Sequence, residues 1–215
     1  HAEEVAKDLP TTIVSACEDQ AVAEKVQDVF MNNNMRVYTN SDRLGVELCG
    51  ALKNVIALAS GICSGLGYGD NMRAALIIRG MAEIKRLGLK MGGKEDSFDG
   101  LAGMGDLIVT ATSKESRNNN AGYLIGKGKS AEEAKKEVGM VVEGINAIPA
   151  ALELADKYDV EMPIVFAVDA VVNRDVQAER DAAVLSELSL YALRHRLAPE
   201  LENAAVLGLS SHGLD

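Results

Sequence analysis

Lys53 is the residue whose surroundings say most about chemistry. It stands in GALKNV, inside an apolar run that reads as the middle of a helix. One helical turn away on either side are Cys49, Gly50, Ile56 and Ala57, none charged and most small. A lysine on a solvated face usually keeps acidic neighbours, whereas this one has room beside it for something to approach. Drawing a lysine out of water lowers its pKa and suits it to proton transfer near neutral pH. The plainer reading is a stem that snorkels, or an ammonium that pairs with a structural carboxylate; the residues alone leave both open. Asn54, next in the chain, can only hydrogen-bond, and it can orient a substrate hydroxyl or carbonyl.

The segment Ser116-Arg117-Asn118 is the second informative place. Ser116 can cap a helix beginning at 117. Arg117 and Asn118 then fall in its first turn, where free backbone N–H groups and the helix dipole favour an anion. The guanidinium adds a planar fork that matches phosphate oxygens. A capped helix with a solvated arginine is the alternative. GLAGMGD (100–106) ends in Asp106 and leads into an apolar helix; it reads either as a turn or as the placement of a functional acid. GLGYGDN (65–71) looks superficially like a dinucleotide loop, but a long helix precedes it where a strand is required, so an interhelical turn is expected. Glu143 in VVEG reads only as an acid at a helix start. His195 and His212 have no serine or acidic partner pattern, so a nucleophilic triad is unsupported.

These residues need helices to position them. Asp42 is an N-cap candidate for a helix running to about Gly61, with Leu44, Leu48, Leu52, Val55 and Ala59 on one face. A second long helix is expected over about 71–90, capped by Asp70 or Asn71 and ending near Gly88 or Gly92. Shorter helices are expected at 106–112, 117–126, 130–138, 143–158, 163–173 and 178–187, with 188–215 an extra helix or a tail. Before residue 41 the pattern differs: a short helix at 3–8, a strand at 11–17, a helix at 19–31 with Val22, Val26, Val29 and Phe30 in helical spacing, and a strand at 35–39. Two strands make a marginal sheet, so residues 1–41 read as the last piece of a larger α/β domain. The chain starts without Met in what reads as a helix, and is expected to begin inside a longer protein.

Composition sets the limits. The 215 residues suffice for one or two domains. Aromatics are 4% and Trp is absent, so an aliphatic core of Leu, Val, Ile, Ala and Met is expected. The formal net charge of −10 argues against nucleic-acid binding, while a few converging basic groups can still hold one small anion. Cys17, Cys49 and Cys63 form no CxxC pair, so neither a metal site nor a disulfide framework is expected, and a reducing, cytoplasmic setting fits. No apolar run reads as a membrane span. Helical domains rich in small residues often dimerise, so a homodimer is expected.

Taken together, GVELCGALKNVIALASGI, GLGYGDNMRAALIIRGMAEI, GLAGMGDLIVTATSKESRNNNAG, VVEG and VEMPI resemble the bacterial type of NAD(P)-dependent glycerol-3-phosphate dehydrogenase. The likeness runs in one order from about residue 1 to about 187. It implies a mainly α fold: a helical C-terminal dehydrogenase domain, like that of 6-phosphogluconate dehydrogenase, at 42–187, preceded by a small α/β remnant of a Rossmann domain at 1–41. It also implies the interconversion of glycerol 3-phosphate and dihydroxyacetone phosphate with NAD or NADP, feeding glycerolipid synthesis. On this resemblance Lys53 is the proton acceptor, and Asp106 bonds the glycerol hydroxyls and sets the lysine's charge. Thr110 lies near them. Ser116, Arg117 and Asn118 form the substrate-binding segment, with Arg117 on the phosphate, and Arg117, Val141 and Glu143 touch the dinucleotide.

The resemblance has departures. The family's Gly-rich strand–loop–helix is missing, as is a second substrate-contacting lysine, and the part beyond about 188 has no counterpart. The chain alone is therefore expected to be inactive, since hydride transfer needs nicotinamide held against the substrate carbon. Two alternatives remain: another dehydrogenase with a Lys-Asn helix, such as a 3-hydroxyacid dehydrogenase, and a non-catalytic helical assembly domain.

Overall fold

The structure, a computed structural model, describes residues 2–173. It is mainly helical. Helix α1 (Ala2–Ala6) leads to strand β1 (Thr11–Ala16), helix α2 (Gln20–Phe30) and strand β2 (Met35–Asn40). The two strands pair in parallel, Thr11 opposite Met35 and Ala16 opposite Asn40, with α2 as the crossover. Then follow α3 (Arg43–Gly65), α4 (Asp70–Lys90), α5 (Glu95–Asp99), a wide π-helical turn (Leu101–Gly105), α6 (Asp106–Thr112), α7 (Arg117–Gly126), α8 (Ala131–Val138), α9 (Glu143–Tyr158) and α10 (Pro163–Asn173). The expected helix at 178–187, the segment 188–215, His195 and His212 lie outside the described residues.

α3 is the axis of the molecule, with α4, α6, α7 and α9 packed around it. Its N-terminus is set by Asp42, whose carboxylate accepts from Gly45 N at 2.9 Å and from Lys94 N at 2.7 Å. Leu48, Leu52, Val55 and Ala59 are buried as their spacing predicts, while Leu44 is exposed at the mouth of the helix. α3 is long and apolar enough to cross a membrane, contrary to the reading of the sequence. Its apolar faces are covered by neighbouring helices, which is how the core helix of a globular domain meets the same test.

The contact between α3 and α7 is set by glycine. A Cβ on Gly61 would lie 2.0 Å from the Asn119 carbonyl oxygen, and one on Gly122 would lie 2.0 Å from that of Leu58. The two backbones therefore touch, and no side chain fits between them. This brings the first turn of α7, with Arg117, against the middle of α3, with Lys53.

Four further features depart from the sequence-based expectations. GLAGMGD is a π turn closed by a 3.1 Å bond from Gly105 N to Gly100 O, not an open loop. α4 is preceded by Gly69 as its cap residue; Asp70 lies in the first turn, and neither Asp70 nor Asn71 caps the helix. α5 has no counterpart among the expected elements, yet it carries Phe98, the largest fully buried side chain in an otherwise aliphatic core. The predicted apolar face of α2 is real as a pattern, but Val22, Val26, Val29 and Phe30 are all exposed. GLGYGDN is the turn between α3 and α4, as its context requires, and Gly67 takes φ +86° there.

Candidate functional site

Lys53 reaches from the middle of α3 to the start of α6, where its Nζ donates to Asp106 Oδ2. Both side chains are mostly shielded, 18% and 21% exposed. The lysine is thus not alone among small residues: a carboxylate from a distant segment faces it. The π turn runs directly into α6, and Asp106 stands at the junction, its own N–H bonded back to the Gly103 and Leu101 carbonyls. The far end of α6 is held by the Ala111 carbonyl, which accepts from Ser60 Oγ of α3 at 2.9 Å and from Asn119 Nδ2 of α7 at 2.7 Å. Thr110 bonds back to the Asp106 carbonyl at 2.7 Å and lies 3.4 Å from Asp106 Oδ1.

Cys49, one turn before Lys53, is no nucleophile. Burial first, and then the carboxylates of Asp42 and Asp106, push its thiol up to about 12. Cys63 is pushed up to about 11 by burial.

Ser116 caps α7 as its position predicts, its Oγ accepting from Asn119 N at 3.3 Å. The first-turn amides of Arg117 and Asn118 have no helical carbonyl to serve them, which leaves an anion-favouring end. Arg117 is 40% exposed and lies 3.8 Å from Glu143 Oε1, a loose pair. Glu143 opens α9, and its Oε2 accepts from Asn54 Nδ2 at 3.3 Å. Val141, just before α9, is exposed.

Sequence reasoning placed Asn54 and Asn118 near the site but missed what their side chains do. Both are buried, and they bond to each other, Asn118 Nδ2 donating to Asn54 Oδ1 at 2.9 Å. Asn118 Oδ1 in turn accepts from Gly144 N at 2.8 Å. One signal was available. Val142, the residue before α9, has no side chain able to cap it, so the cap had to come from elsewhere. The same logic exposes Glu83 of α4. α10 starts at Pro163 after an apolar Met162, and the buried Glu83 carboxylate accepts from Ile164 N at 2.9 and 3.1 Å instead. Among the described residues no three His, Cys, Asp or Glu side chains gather as a metal site.

Residues 42–182 match the family described as NAD-dependent glycerol-3-phosphate dehydrogenase C-terminus. The chain belongs to the NAD-dependent glycerol-3-phosphate dehydrogenase family. It is 94% identical over 189 residues to glycerol-3-phosphate dehydrogenase [NAD(P)+] 2 of Lactobacillus delbrueckii subsp. bulgaricus, a match covering 87% of this chain and 56% of that protein. It is 58% identical over 179 residues to the Bacillus subtilis relative, covering 83% of this chain and 52% of that protein. Among solved structures it resembles glycerol-3-phosphate dehydrogenase of Coxiella burnetii (39% identity, TM-score 0.83, 87% of this chain and 57% of that one). It also resembles the Saccharomyces cerevisiae enzyme (28% identity, TM-score 0.76, 86% of this chain and 57% of that one). The helical part is the family's C-terminal dehydrogenase domain, and the chain spans about half the length of the curated relatives it matches.

Proposed function

We propose that this chain is the substrate-binding part of an enzyme that interconverts glycerol 3-phosphate and dihydroxyacetone phosphate with NAD or NADP. The observation that carries the reading is the Lys53–Asp106 pair on α3 and α6, with Asn54, next to Lys53, bonded to Asn118, next to Arg117 in the first turn of α7. A group able to move a proton and a group able to hold a phosphate meet where α3, α6 and α7 pack. Arginine at a helix start suits a carboxylate as well as a phosphate, so it is the family match that favours the phosphate substrate over that of the 3-hydroxyacid dehydrogenases.

In this reading the phosphate sits on Arg117, the amides of Arg117 and Asn118, and the Ser116 end of α7. Asp106 and Thr110 face the hydroxyl-bearing carbons, and Asn54 lies beside them. Lys53, held by Asp106, gives its proton to the ketone oxygen during reduction and takes it back from the secondary hydroxyl during oxidation. The nicotinamide, when bound, supplies or accepts the hydride at that carbon. Arg117, Val141 and Glu143 form the edge that meets the dinucleotide; their exposure and Arg117's charge fit that contact. Among the described residues no glycine loop joins a strand to a helix, the form a pyrophosphate cradle takes. We place that cradle in the additional length of the relatives, and the boundary with the helical domain at residues 41 and 42.

The test is NADH or NADPH oxidation with dihydroxyacetone phosphate. It uses the 215-residue chain and a protein joining it to the N-terminal part of the Lactobacillus relative. The joined protein is expected to turn over and the chain alone to be inactive. In the joined protein Arg117→Ala is expected to raise KM for the phosphate substrate about a hundredfold, the loss of a charge-assisted contact worth roughly 3 kcal/mol. An unchanged KM removes the anion site.

A further inference from the structure

The Asn118 side chain is engaged at both ends. Its carbonyl oxygen must face Gly144 N, which can only donate. Its amide nitrogen must then face Asn54 Oδ1. This in turn aims Asn54 Nδ2 at two groups that only accept, Gly50 O at 3.1 Å and Glu143 Oε2 at 3.3 Å. Every link has one direction, and reversing either amide breaks the bond between them and that residue's other links. The relay is shielded, with Asn118 5% and Asn54 6% exposed. The approach is also closed sterically. A Cβ on Gly144 would lie 2.5 Å from the Asn54 backbone carbonyl and 3.1 Å from Asn118 Oδ1, so the first turn of α9 fits here only with a glycine at its second residue.

Three segments with different tasks meet in this relay. Asn54 adjoins Lys53. Asn118 adjoins Arg117. Gly144 adjoins Glu143, which receives both the Asn54 amide and the Arg117 guanidinium. Resting on the function proposed above, we infer that Asn118 acts through its side chain as a positioning residue. It clips the start of α9 to α3 and α7, and so ties affinity for the phosphate substrate to affinity for the dinucleotide. A side chain that touched only substrate would have no such reach.

The experiment uses Asn118→Ala, Asn54→Ala and the double variant in the joined protein, with KM for dihydroxyacetone phosphate and for NADH measured separately. Asn118→Ala is expected to raise both KM values together, each by about tenfold, as loss of a buried hydrogen-bond pair implies. The double variant is expected to be no worse than Asn118→Ala alone, because the two side chains act as one unit. A rise confined to the KM for dihydroxyacetone phosphate overturns the clip, as do fully multiplicative losses in the double variant. A second measurement stands apart from the substrate assignment. In the 215-residue chain, amide exchange over residues 141–146 is expected to quicken in Asn118→Ala while the centre of α3 stays protected. If the joined parent protein does not turn over, the substrate reading fails, and the exchange measurement then decides the clip: unchanged exchange at Gly144 overturns it.

Discussion

Two helices of this molecule carry apolar stripes of similar regularity and meet opposite fates. On α3, Val55, Ile56, Leu58 and Ile62 are sealed inside a ring of helices. On α2, Val22, Val26, Val29 and Phe30 face outward, above a sheet of only two strands. Periodicity states which face of a helix wants burial; it does not state what will cover it. For α3 the cover is supplied within the described residues, by glycine-mediated contact with α7 and by side-chain packing elsewhere. The functional candidates follow the same division, since every one of them lies on α3, on an element packed around it, or just before the start of one.

The largest effect expected from this contrast is at the α3–α7 contact. Gly122→Ala places a Cβ against the Leu58 carbonyl and is expected to cost roughly 3 kcal/mol or more, or to prevent folding. Gly50→Ala, with nothing within 4 Å of its new Cβ, is expected to be neutral or to stabilise by up to about 1 kcal/mol. Thermal melts of both variants give the comparison. Equal losses would mean that glycine is not what sets this contact.

Next comes Glu83, under the start of α10. Burial raises its carboxyl from 4.5 to about 7, against the lowering influence of the Ile164 and Val165 amides and of Arg86 and Arg79. Because the folded value lies above the unfolded one, this group's contribution to stability is greatest below about pH 4.5. It is lost as pH rises through about 7. Between pH 5 and 8 the parent is expected to lose roughly 2–3 kcal/mol more than Glu83→Gln, read from denaturant midpoints at each pH. Parallel pH profiles would remove Glu83 as an ionising group.

A smaller effect separates the two stripes directly. Val55→Ala is expected to cost about 2 kcal/mol, while Val29→Ala in the same 215-residue chain changes stability by less than about 0.5 kcal/mol. Comparable losses would show that α2 is covered. The smallest perturbation is chemical: iodoacetamide is expected to label Cys17, which is partly exposed, and to leave Cys49 and Cys63 intact in the folded chain. Labelling of Cys49 before unfolding would mean that α3 opens.

What could be read from the sequence follows the range of the interactions involved. The bounds of α6, α7, α9 and α10 were legible, and so was the start of α3, where Asp42 supplies its own cap. α7 likewise begins at its own cap, Ser116. Lys53 stood out through its neighbours one turn away, and Arg117 through its place in the first turn of a capped helix. Asp106 did so less, since its partner is on another helix; its loop read either as a turn or as the placement of an acid, and mostly the family likeness pointed to it. α5 was invisible because five residues show no period; its one anchor, Phe98, is secured by tertiary contact. Glu83 and the Asn54–Asn118 relay cap helices far from them in sequence. Such caps show in a sequence only as a gap, at Val142 and Met162, where a helix begins without a residue able to cap it.

The central claim is that Lys53, held by Asp106, moves the proton. The direct measurement is steady-state turnover of Lys53→Ala in the joined protein, with KM for dihydroxyacetone phosphate measured alongside. Turnover is expected to fall by about 10²–10⁴-fold with only a modest change in KM. Turnover near that of the parent would contradict the account and leave Lys53 a structural partner of Asp106.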